Sequence, residues 1–285
     1  MRNADKPGFD AQTRGESIFM AARSHDCLDV QRNLILGSLD SDVFQRLAPR
    51  LEKMPLTRGE IVCSPDSKLS HAYFPISGII SLSHLLENGS TVESAMIGNE
   101  GMLGVSLFAG GYTMLTEASV QIDGQAYRLP AEALMTEFNR SASMRNRLMR
   151  YTLALFAQTS QTAICNSQHS LQQRLCRRLL LALDRLPGNQ VQLTQEQIAG
   201  SLGVRREGVC EAAGQLQQAG LITSKRGKIT ILDKKGLTER SCECYQVVKE
   251  GCVRLEKIEP PRRKHFPYSV ERRREPRPAP PAGTA

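Results

Sequence analysis

Charged and polar side chains suited to contacting DNA lie close together in one part of this sequence. Four of them are Arg205, Arg206, Glu207 and Glu211. An arginine can donate two hydrogen bonds to guanine O6 and N7, and a glutamate carboxylate can accept one from the cytosine amino group. A second set suits phosphate, which positions a protein on DNA without specifying sequence; it comprises Thr194, Lys225, Arg226 and Lys228. We predict base contacts for the first set and phosphate contacts for the second.

Two short helices joined by a tight turn are predicted to position the first set. Thr194 and Gln197 have the spacing of a capping box at a helix N-terminus, and Gly203 can adopt the positive φ of a sharp turn. A second helix is expected from about Arg205, with one apolar face formed by Val209, Ala212, Leu216 and Ala219. A DNA-binding helix–turn–helix inserts the N-terminal end of its second helix into the major groove. An ordinary helical hairpin with a glycine turn fits the same pattern.

A basic hairpin is predicted directly after these helices. Gly220 is of the kind that ends a helix, two short strands follow at 221–223 and 229–232, and residues 225–227 form the turn between them. A helix–turn–helix followed by such a hairpin is a winged helix. The hairpin therefore favours DNA binding over the ordinary helical hairpin.

These motifs resemble the DNA-binding domain of the Crp/Fnr superfamily of bacterial transcription regulators. The resemblance lies in LTQEQIAGSLGVRREGV and AGLITSKRGKITILDKKGL, and residues 34–237 follow the family plan. In that family an Arg-Glu pair reads bases, and Arg206 and Glu207 match it. Glu211 stands where the family has a further arginine, and Gly208 stands where a Ser or Thr often contacts phosphate. The resemblance thus implies a DNA sequence different from that of the best-known members.

Short strands separated by turns are predicted from 56 to 129, with hairpin turns at 87–90 and 123–124. This pattern indicates a β-roll or small barrel and resembles the cyclic-nucleotide-binding fold of Crp/Fnr proteins. In members that bind a cyclic nucleotide, one loop carries a Gly-Glu pair for the ribose and an Arg for the phosphate. Gly104 matches the glycine, whereas Val105 and Thr116 replace the Glu and the Arg. Because a buried phosphate would lack a cation, we expect neither cyclic AMP nor cyclic GMP; a different ligand and a self-filled loop are both open.

A long helix from about 143 to 166 carries residues with alternating 4–3 spacing, which is typical of a coiled-coil seam. The seam consists of Met144, Leu148, Tyr151, Leu155, Gln158, Thr162 and Cys165, apolar at its start and polar at its end. In Crp/Fnr proteins this helix pairs two subunits, so we expect a homodimer joined along the seam. Packing of the helix on its own β-roll is the alternative, and a neighbouring face suits that contact through Leu153, Phe156 and Ile164.

The next helix, 170–186, leads into the winged helix. It carries three arginines that we interpret as solvated charges, with phosphate contacts as the alternative: Arg174, Arg177 and Arg178.

Eight cysteines occur, and they form neither a CxxC pair nor a four-ligand zinc pattern. Cys27 stands alone where iron–sulfur members of the family carry a cysteine cluster. Cys242, Cys244 and Cys252 fall on a predicted C-terminal helix, 241–258, where two cysteines at i, i+2 point about 200° apart. That arrangement suits a shared metal poorly. We assign the three to helix packing and predict no metal and no cofactor.

Length and composition fit two modest domains, since the chain has 285 residues, of which 40% are hydrophobic. The net charge is +8, and residues 262–277 contribute seven Lys or Arg against two Glu. The charge therefore indicates non-specific attraction to phosphate more than a folded basic patch. No apolar run approaches the ~20 residues that span a bilayer, and the N-terminus lacks the apolar core of a signal peptide. We expect a cytoplasmic chain without membrane contact.

We predict an α+β fold with a mobile N-terminal tail (1–27), a sensor-like β-roll (28–138), a dimerisation helix (139–168), a winged helix (169–240), a C-terminal helix (241–258) and a disordered basic tail (259–285). The expected function is a homodimeric transcription regulator that binds double-stranded DNA at inverted repeats. RNA polymerase and an unidentified small-molecule effector are further candidate partners. The alternative is a ligand or redox sensor whose output is protein–protein contact. An enzyme is not expected, because the sequence shows no nucleophile–base pair, metal site or phosphate loop.

Overall fold

The computed structural model describes residues 29–111 and 113–256, with side chains as far as residue 251. The predicted tails at 1–27 and 259–285, together with the side chain of Cys252, lie outside the described residues. An N-terminal β-roll leads through a long helix into a helical region with a small sheet. The α+β organisation predicted from the sequence is confirmed.

Five antiparallel strands form the β-roll: β1 (Glu52–Leu56), β2 (Ile61–Cys63), β3 (His71–Leu85), β4 (Thr91–Ile97) and β5 (Glu117–Pro130). The strand order is β1-β5-β3-β4, and β2 also pairs with β5. Strands β3 and β4 are joined at the predicted hairpin turn, where Gly89 has φ +78°. The inward faces of these strands bury a continuous apolar core with the helices on either side of the roll.

Strand β5 continues through residues 123–124, where the sequence predicts a turn. Gly124 pairs with Leu56 of β1, and the register between β3 and β5 shifts around Ser77. Gly78 has φ +79°, and a Cβ on Gly124 would lie 2.2 Å from the Ser77 carbonyl oxygen. The predicted turn is therefore wrong, because the two glycines serve a close crossing of bulged strands.

The α-helices whose whole length is described beside the roll are α1 (Ser41–Leu47), α2 (Ala131–Arg140) and α3 (Ala142–Gln168). The long helix α3 begins at a cap formed by Ser141, whose hydroxyl accepts a hydrogen bond from the Met144 N–H at 3.2 Å. It then runs past α2 and β4.

The structure reverses the two faces assigned to α3. Met144, Leu148 and Tyr151 are 1%, 0% and 3% exposed, and they belong to the core of the chain's own β-roll. Leu155 and Thr162 are half-buried. The opposite face is exposed and carries Met149, Leu153, Phe156 and Ile164. The seam predicted to join two subunits thus packs within the chain, because these side chains fill the interior of the roll.

The helical region that follows contains α4 (Leu171–Leu183), α5 (Gln195–Leu202), α6 (Arg206–Gln218), α7 (Lys234–Glu239) and α8 (Cys244–Glu256). A small antiparallel sheet lies beside them, with β6 (Gln190–Val191), β7 (Ile222–Lys225) and β8 (Lys228–Ile231) in the order β6-β8-β7. Helices α5 and α6 with the β7–β8 hairpin form the predicted winged helix.

The β-roll and the winged helix share an apolar core. Ile79, Met96 and Ile122 of the roll pack in the same cluster as the buried residues of α4, α5 and α6. Helix α5 also lies against β4. Within the described ranges, no helix has both the length and the apolar character needed to cross a bilayer.

Candidate DNA-binding surface

Helix α5 begins with the predicted capping box. The Thr194 hydroxyl accepts a hydrogen bond from the Gln197 N–H at 3.2 Å, and the Gln197 side-chain oxygen accepts one from the Thr194 N–H at 3.0 Å. Thr194 also stands beside the wing, since its Cγ2 lies 3.2 Å from where a Cβ on Gly227 would be. The capping role is confirmed, and the phosphate contact stays a prediction.

The turn between α5 and α6 is left-handed at Gly203, with φ +63° and ψ +40°. The Gly203 N–H donates to the Gly200 carbonyl, and the Val204 N–H donates to the Ala199 carbonyl, both at 3.1 Å. A Cβ on Gly203 would lie 2.9 Å from Cγ2 of Val92 in β4. Glycine is therefore required both by the turn and by the neighbouring β-roll.

Helix α6 presents all four predicted base-reading residues to solvent. Its apolar face is buried through Val209, Ala212, Ala213 and Leu216. Arg205 caps the helix in extended conformation, Arg206 and Glu207 occupy its first turn, and Glu211 lies one turn further on. All four are exposed. The side chains that could reach base edges thus project from the end of the helix that would lead into a groove.

Gly208, where the family often has Ser or Thr, packs against the start of α4. A Cβ at this position would lie 2.9 Å from Cδ2 of Leu171. A hydroxyl side chain here would require Leu171 to shift. Glycine at this position thus allows α6 to pack closely on α4.

The wing is a tight two-residue hairpin. Lys225 and Lys228 are paired across β7 and β8, and the turn residues Arg226 and Gly227 both have positive φ, 51° and 73°. Two successive positive φ values are those of a type I′ turn, whose twist matches the flanking strands. All three basic side chains at this tip are exposed.

The cations of this surface are not neutralised by the described part of the chain. None of its acidic groups forms an ion pair with Arg205, Arg206, Lys225, Arg226 or Lys228. Exposed, unpaired cations on two adjacent elements attract polyanions such as DNA.

The loop that resembles a cyclic-nucleotide site is filled by the chain's own side chains. Gly104 has φ +120°, and a Cβ there would lie 3.2 to 3.3 Å from atoms of Leu107, Ala72 and Leu69. Leu107 belongs to the roll core, and Val105 packs against that core. Thr116 is half-buried. Of the two possibilities left open by the sequence, this packing favours the self-filled loop.

The arginines of α4 are not solvated. Arg178 is buried and forms an ion pair with Glu93 of β4, and it donates to the Gln121 side-chain oxygen at 2.8 Å. Arg177 is buried and donates to the Thr162 hydroxyl at 2.9 Å. Arg174 donates to the Leu202 carbonyl. The predicted solvated face is therefore wrong, because these side chains connect α4 to its neighbours.

Residues at the polar end of the α3 seam form hydrogen bonds with the arginines of α4 and of the turn after it. Gln158 donates to the Met96 carbonyl at 3.0 Å and accepts from Arg185 at 3.2 Å. Arg185 also pairs with Glu100 at 2.7 Å. The polar seam residues Gln158 and Thr162 thus hold arginines from α4 and the turn after it.

Cys242 and Cys244 converge, contrary to the sequence prediction. Helix α8 begins at Cys244, so Cys242 lies in the turn before it and helical spacing does not separate the two thiols. They meet Cys165, in the last turn of α3, and His169, which follows α3. The ligand atoms of these four residues all lie within 4.8 Å of one another. The i, i+4 spacing of Cys165 and His169 is the sequence signal that was missed.

Each half of the chain matches the model of a known protein family. Residues 53–141 match the model of the cyclic nucleotide-binding domain, and residues 173–240 match that of the Crp-like helix-turn-helix domain. A search of curated proteins found no match.

Solved structures share this fold at low identity. FixK2 from Bradyrhizobium japonicum is 17% identical, with a TM-score of 0.59 over 67% of this chain and 98% of its own. A CRP/FNR-family transcriptional regulator from Thermus thermophilus is 23% identical, with a TM-score of 0.53 over 67% and 98%. The global regulator CLP from Xanthomonas campestris is 18% identical, with a TM-score of 0.54 over 68% and 100%.

The β-roll that matches the first model precedes the winged helix that matches the second, and one long helix connects them. The exposed Arg206–Glu207 pair and the basic wing lie on the domain that the helix-turn-helix model covers. The chain therefore belongs to the Crp/Fnr family of transcription regulators.

Proposed function

We propose that this chain acts as a homodimer that reads inverted-repeat DNA through α6 without a cyclic nucleotide. The observation that carries the proposal is the exposed Arg206–Glu207 pair at the N-terminus of α6, beside the unpaired cations of the wing. A two-fold dimer places two such helices in successive major grooves, about 34 Å apart. Arg206 and Glu207 then read bases with help from Arg205 and Glu211, while the wing and Thr194 contact phosphate.

The dimer contact that we propose is the exposed face of α3. Leu153 and Phe156 are 68% and 69% exposed, and Met149 and Ile164 are about half exposed. Residues 149, 153, 156, 160 and 163 continue a 4–3 spacing, which suits packing against an identical helix. We therefore assign this face to contact with a second copy of the chain. The two-fold axis of that dimer would match the symmetry of an inverted repeat.

Control by cyclic AMP or cyclic GMP is not part of the proposal. The loop residues that would bind the ribose and the phosphate are Val105 and Thr116, and apolar side chains fill the space around Gly104. The buried arginines of the described chain lie on α4 and just after it, where they contact β4, β5, α3 and the loop after β4. A cyclic phosphate in the loop would therefore not be paired with any of these buried arginines.

The test is selection from a pool of random DNA duplexes by the purified full-length chain, without added ligand and at physiological salt. We expect enrichment of an inverted repeat whose half-sites lie one helical turn apart. A parallel selection with saturating cyclic AMP should enrich the same repeat to the same extent. Salt-sensitive binding without enrichment, or enrichment only with cyclic AMP, would contradict the proposal.

A further inference from the structure

Four side chains that can ligate a transition metal converge where α3 ends. The Sγ atoms of Cys165 and Cys242 are 3.5 Å apart, and Sγ of Cys244 is 3.4 Å from Nδ1 of His169. Ligand atoms on one tetrahedral zinc ion lie about 3.5–3.8 Å apart, given metal–ligand distances of about 2.0–2.3 Å. We propose that these four residues bind one zinc ion, which fixes the winged helix to the long helix.

The donor set and its compactness indicate the kind of metal. Three thiols and one imidazole form a Cys₃His set, which is a common closed site for structural zinc. All four ligand atoms lie within 4.8 Å of one another. An iron–sulfur cluster would divide these four ligands between at least two iron atoms and would therefore place some of them farther apart. The compact arrangement favours a single ion.

The surroundings of the four ligands are those of a metal site. His169 turns its other ring nitrogen, Nε2, toward the Glu243 carboxylate at 3.3 Å, and the Gln161 amide donates to Cys244 Sγ at 3.1 Å. A carboxylate on the distal nitrogen fixes the tautomer and orientation of a ligating histidine. The three cysteines are buried, at 0% to 5% exposure.

An unbalanced buried cation points to the same site. Arg177 is 6% exposed, and none of the described carboxylates pairs with it. Its Nε lacks a hydrogen-bond partner among the described atoms, and its guanidinium donates to the hydroxyl of Thr162, which lies less than one helical turn before Cys165 on α3. Zinc with three thiolates and one imidazole carries one negative charge. That charge would balance Arg177.

The position of the site gives the ion a structural role. Helix α3 ends at Gln168 and α4 begins at Leu171, so His169 lies in a two-residue connection between them. Cys242 and Cys244 come from the turn between α7 and α8 and from the start of α8. One ion would thus tie the end of α3 and the connection to α4 to the start of α8, which follows the winged helix in the chain. The inference does not depend on whether α6 reads DNA.

The first test measures metal in the full-length chain purified without chelator. We expect one zinc per chain. After removal of the zinc, added Co²⁺ should give the visible d–d bands of a tetrahedral ion together with thiolate-to-metal charge transfer in the near ultraviolet. Cys244→Ser and His169→Ala should lose zinc and change this spectrum, whereas Cys63→Ser, a control in β2, should retain both.

A gentler variant separates metal binding from folding. Glu243 is exposed, so Glu243→Gln should leave the circular dichroism spectrum unchanged while weakening zinc affinity about 10–100-fold in competition with a chromophoric chelator. Three results would overturn the inference: unmodified protein that takes up neither metal, a Cys165–Cys242 disulfide in protein purified under reducing conditions, or Glu243→Gln and Cys244→Ser chains that bind metal as the unmodified chain does.

Discussion

Arg206 and Lys225 are both exposed cations, but they lie on elements for which we propose different contacts with DNA. Arg206 is in the first turn of α6, and Lys225 is at the end of β7, next to the hairpin turn. A side chain in a groove contacts base edges, whereas a wing side chain contacts the phosphates of any sequence. Replacing the two residues should therefore produce different losses.

For Arg206→Ala, we expect the free energy of binding to the selected repeat to weaken by about 1–3 kcal/mol per half-site. The variant should lose its preference for one base mainly at a single base pair of each half-site. The measurement is a binding titration on the selected duplex and on duplexes carrying each substitution in the half-site. Equal losses on the selected duplex and on a scrambled duplex would show that Arg206 does not read a base.

For Lys225→Ala, we expect weaker binding to selected and scrambled duplexes alike. The slope of log affinity against log salt should become shallower by about 1 for each lysine removed, because fewer counterions are released. Titrations at several salt concentrations measure the slope. Lys235→Ala, which removes an exposed lysine from α7, is the matched control and should leave the slope unchanged.

The role of a single residue could be predicted from the sequence where that residue determines the local backbone conformation. Gly203 and Gly220 were predicted to turn the chain, and both have positive φ in the structure, 63° and 71°. Arg177 and Arg178 could not be assigned in this way, because their partners are 15 and 85 residues away in the sequence. A charge that is buried by a distant element carries no local signal.

Among the elements, α3 carries the face that we propose for the contact between two chains. It carries apolar residues with 4–3 spacing on two opposite faces, and the core of the β-roll takes one of them. The spacing shows that both faces suit packing, but it does not show which of them packs on the β-roll and which remains exposed. The exposed face is the one left for a second copy.

We expect Phe156→Glu to disrupt the proposed dimer, because a carboxylate would have to leave water in an apolar interface at a cost of several kcal/mol. The dissociation constant should rise at least ~100-fold. Sedimentation equilibrium at micromolar concentration should show mostly 31.5 kDa monomer for this variant and dimer for the unmodified chain. Ser143→Glu, exposed on the same helix about 120° from the stripe, should remain dimeric; an unmodified chain that is monomeric would refute the contact.

Across the whole molecule, two buried ion pairs join the β-roll to α4 and the turn after it. Glu93 of β4 pairs with Arg178, and Glu100, which follows that strand, pairs with Arg185. Glu93 also accepts a hydrogen bond from the Ser81 hydroxyl at 2.6 Å. Removing one partner of such a pair leaves an uncompensated charge in the interior.

We expect Glu93→Gln to lower the free energy of unfolding by about 3–5 kcal/mol, because Arg178 would stay buried without its counter-charge. The measurement is urea unfolding followed by circular dichroism. Glu52→Gln breaks the exposed Glu52–Arg128 pair and should cost less than about 1 kcal/mol. Equal costs for the two variants would show that the Glu93 pair contributes no more than a surface contact.

The order of β-roll, long helix and winged helix could be predicted from motifs along the chain, but their mutual packing could not. Gly203 meets Val92, and Glu100 meets Arg185, only in the folded molecule. The thiol and imidazole cluster likewise joins Cys165 to residues 77 or more positions later. Long-range contacts of this kind follow from the shape of the assembled core.

The core shared by the two domains makes the chain less modular than its linear order implies. Ile79, Met96 and Ile122 lie on three strands of the roll, yet they complete the interior beneath α4, α5 and α6. An excised winged-helix fragment would expose the apolar patch that these residues cover, and it would tend to self-associate. Any swing of the winged helix away from the roll would expose the same patch, so the domains should separate only when another binding event compensates for that exposure.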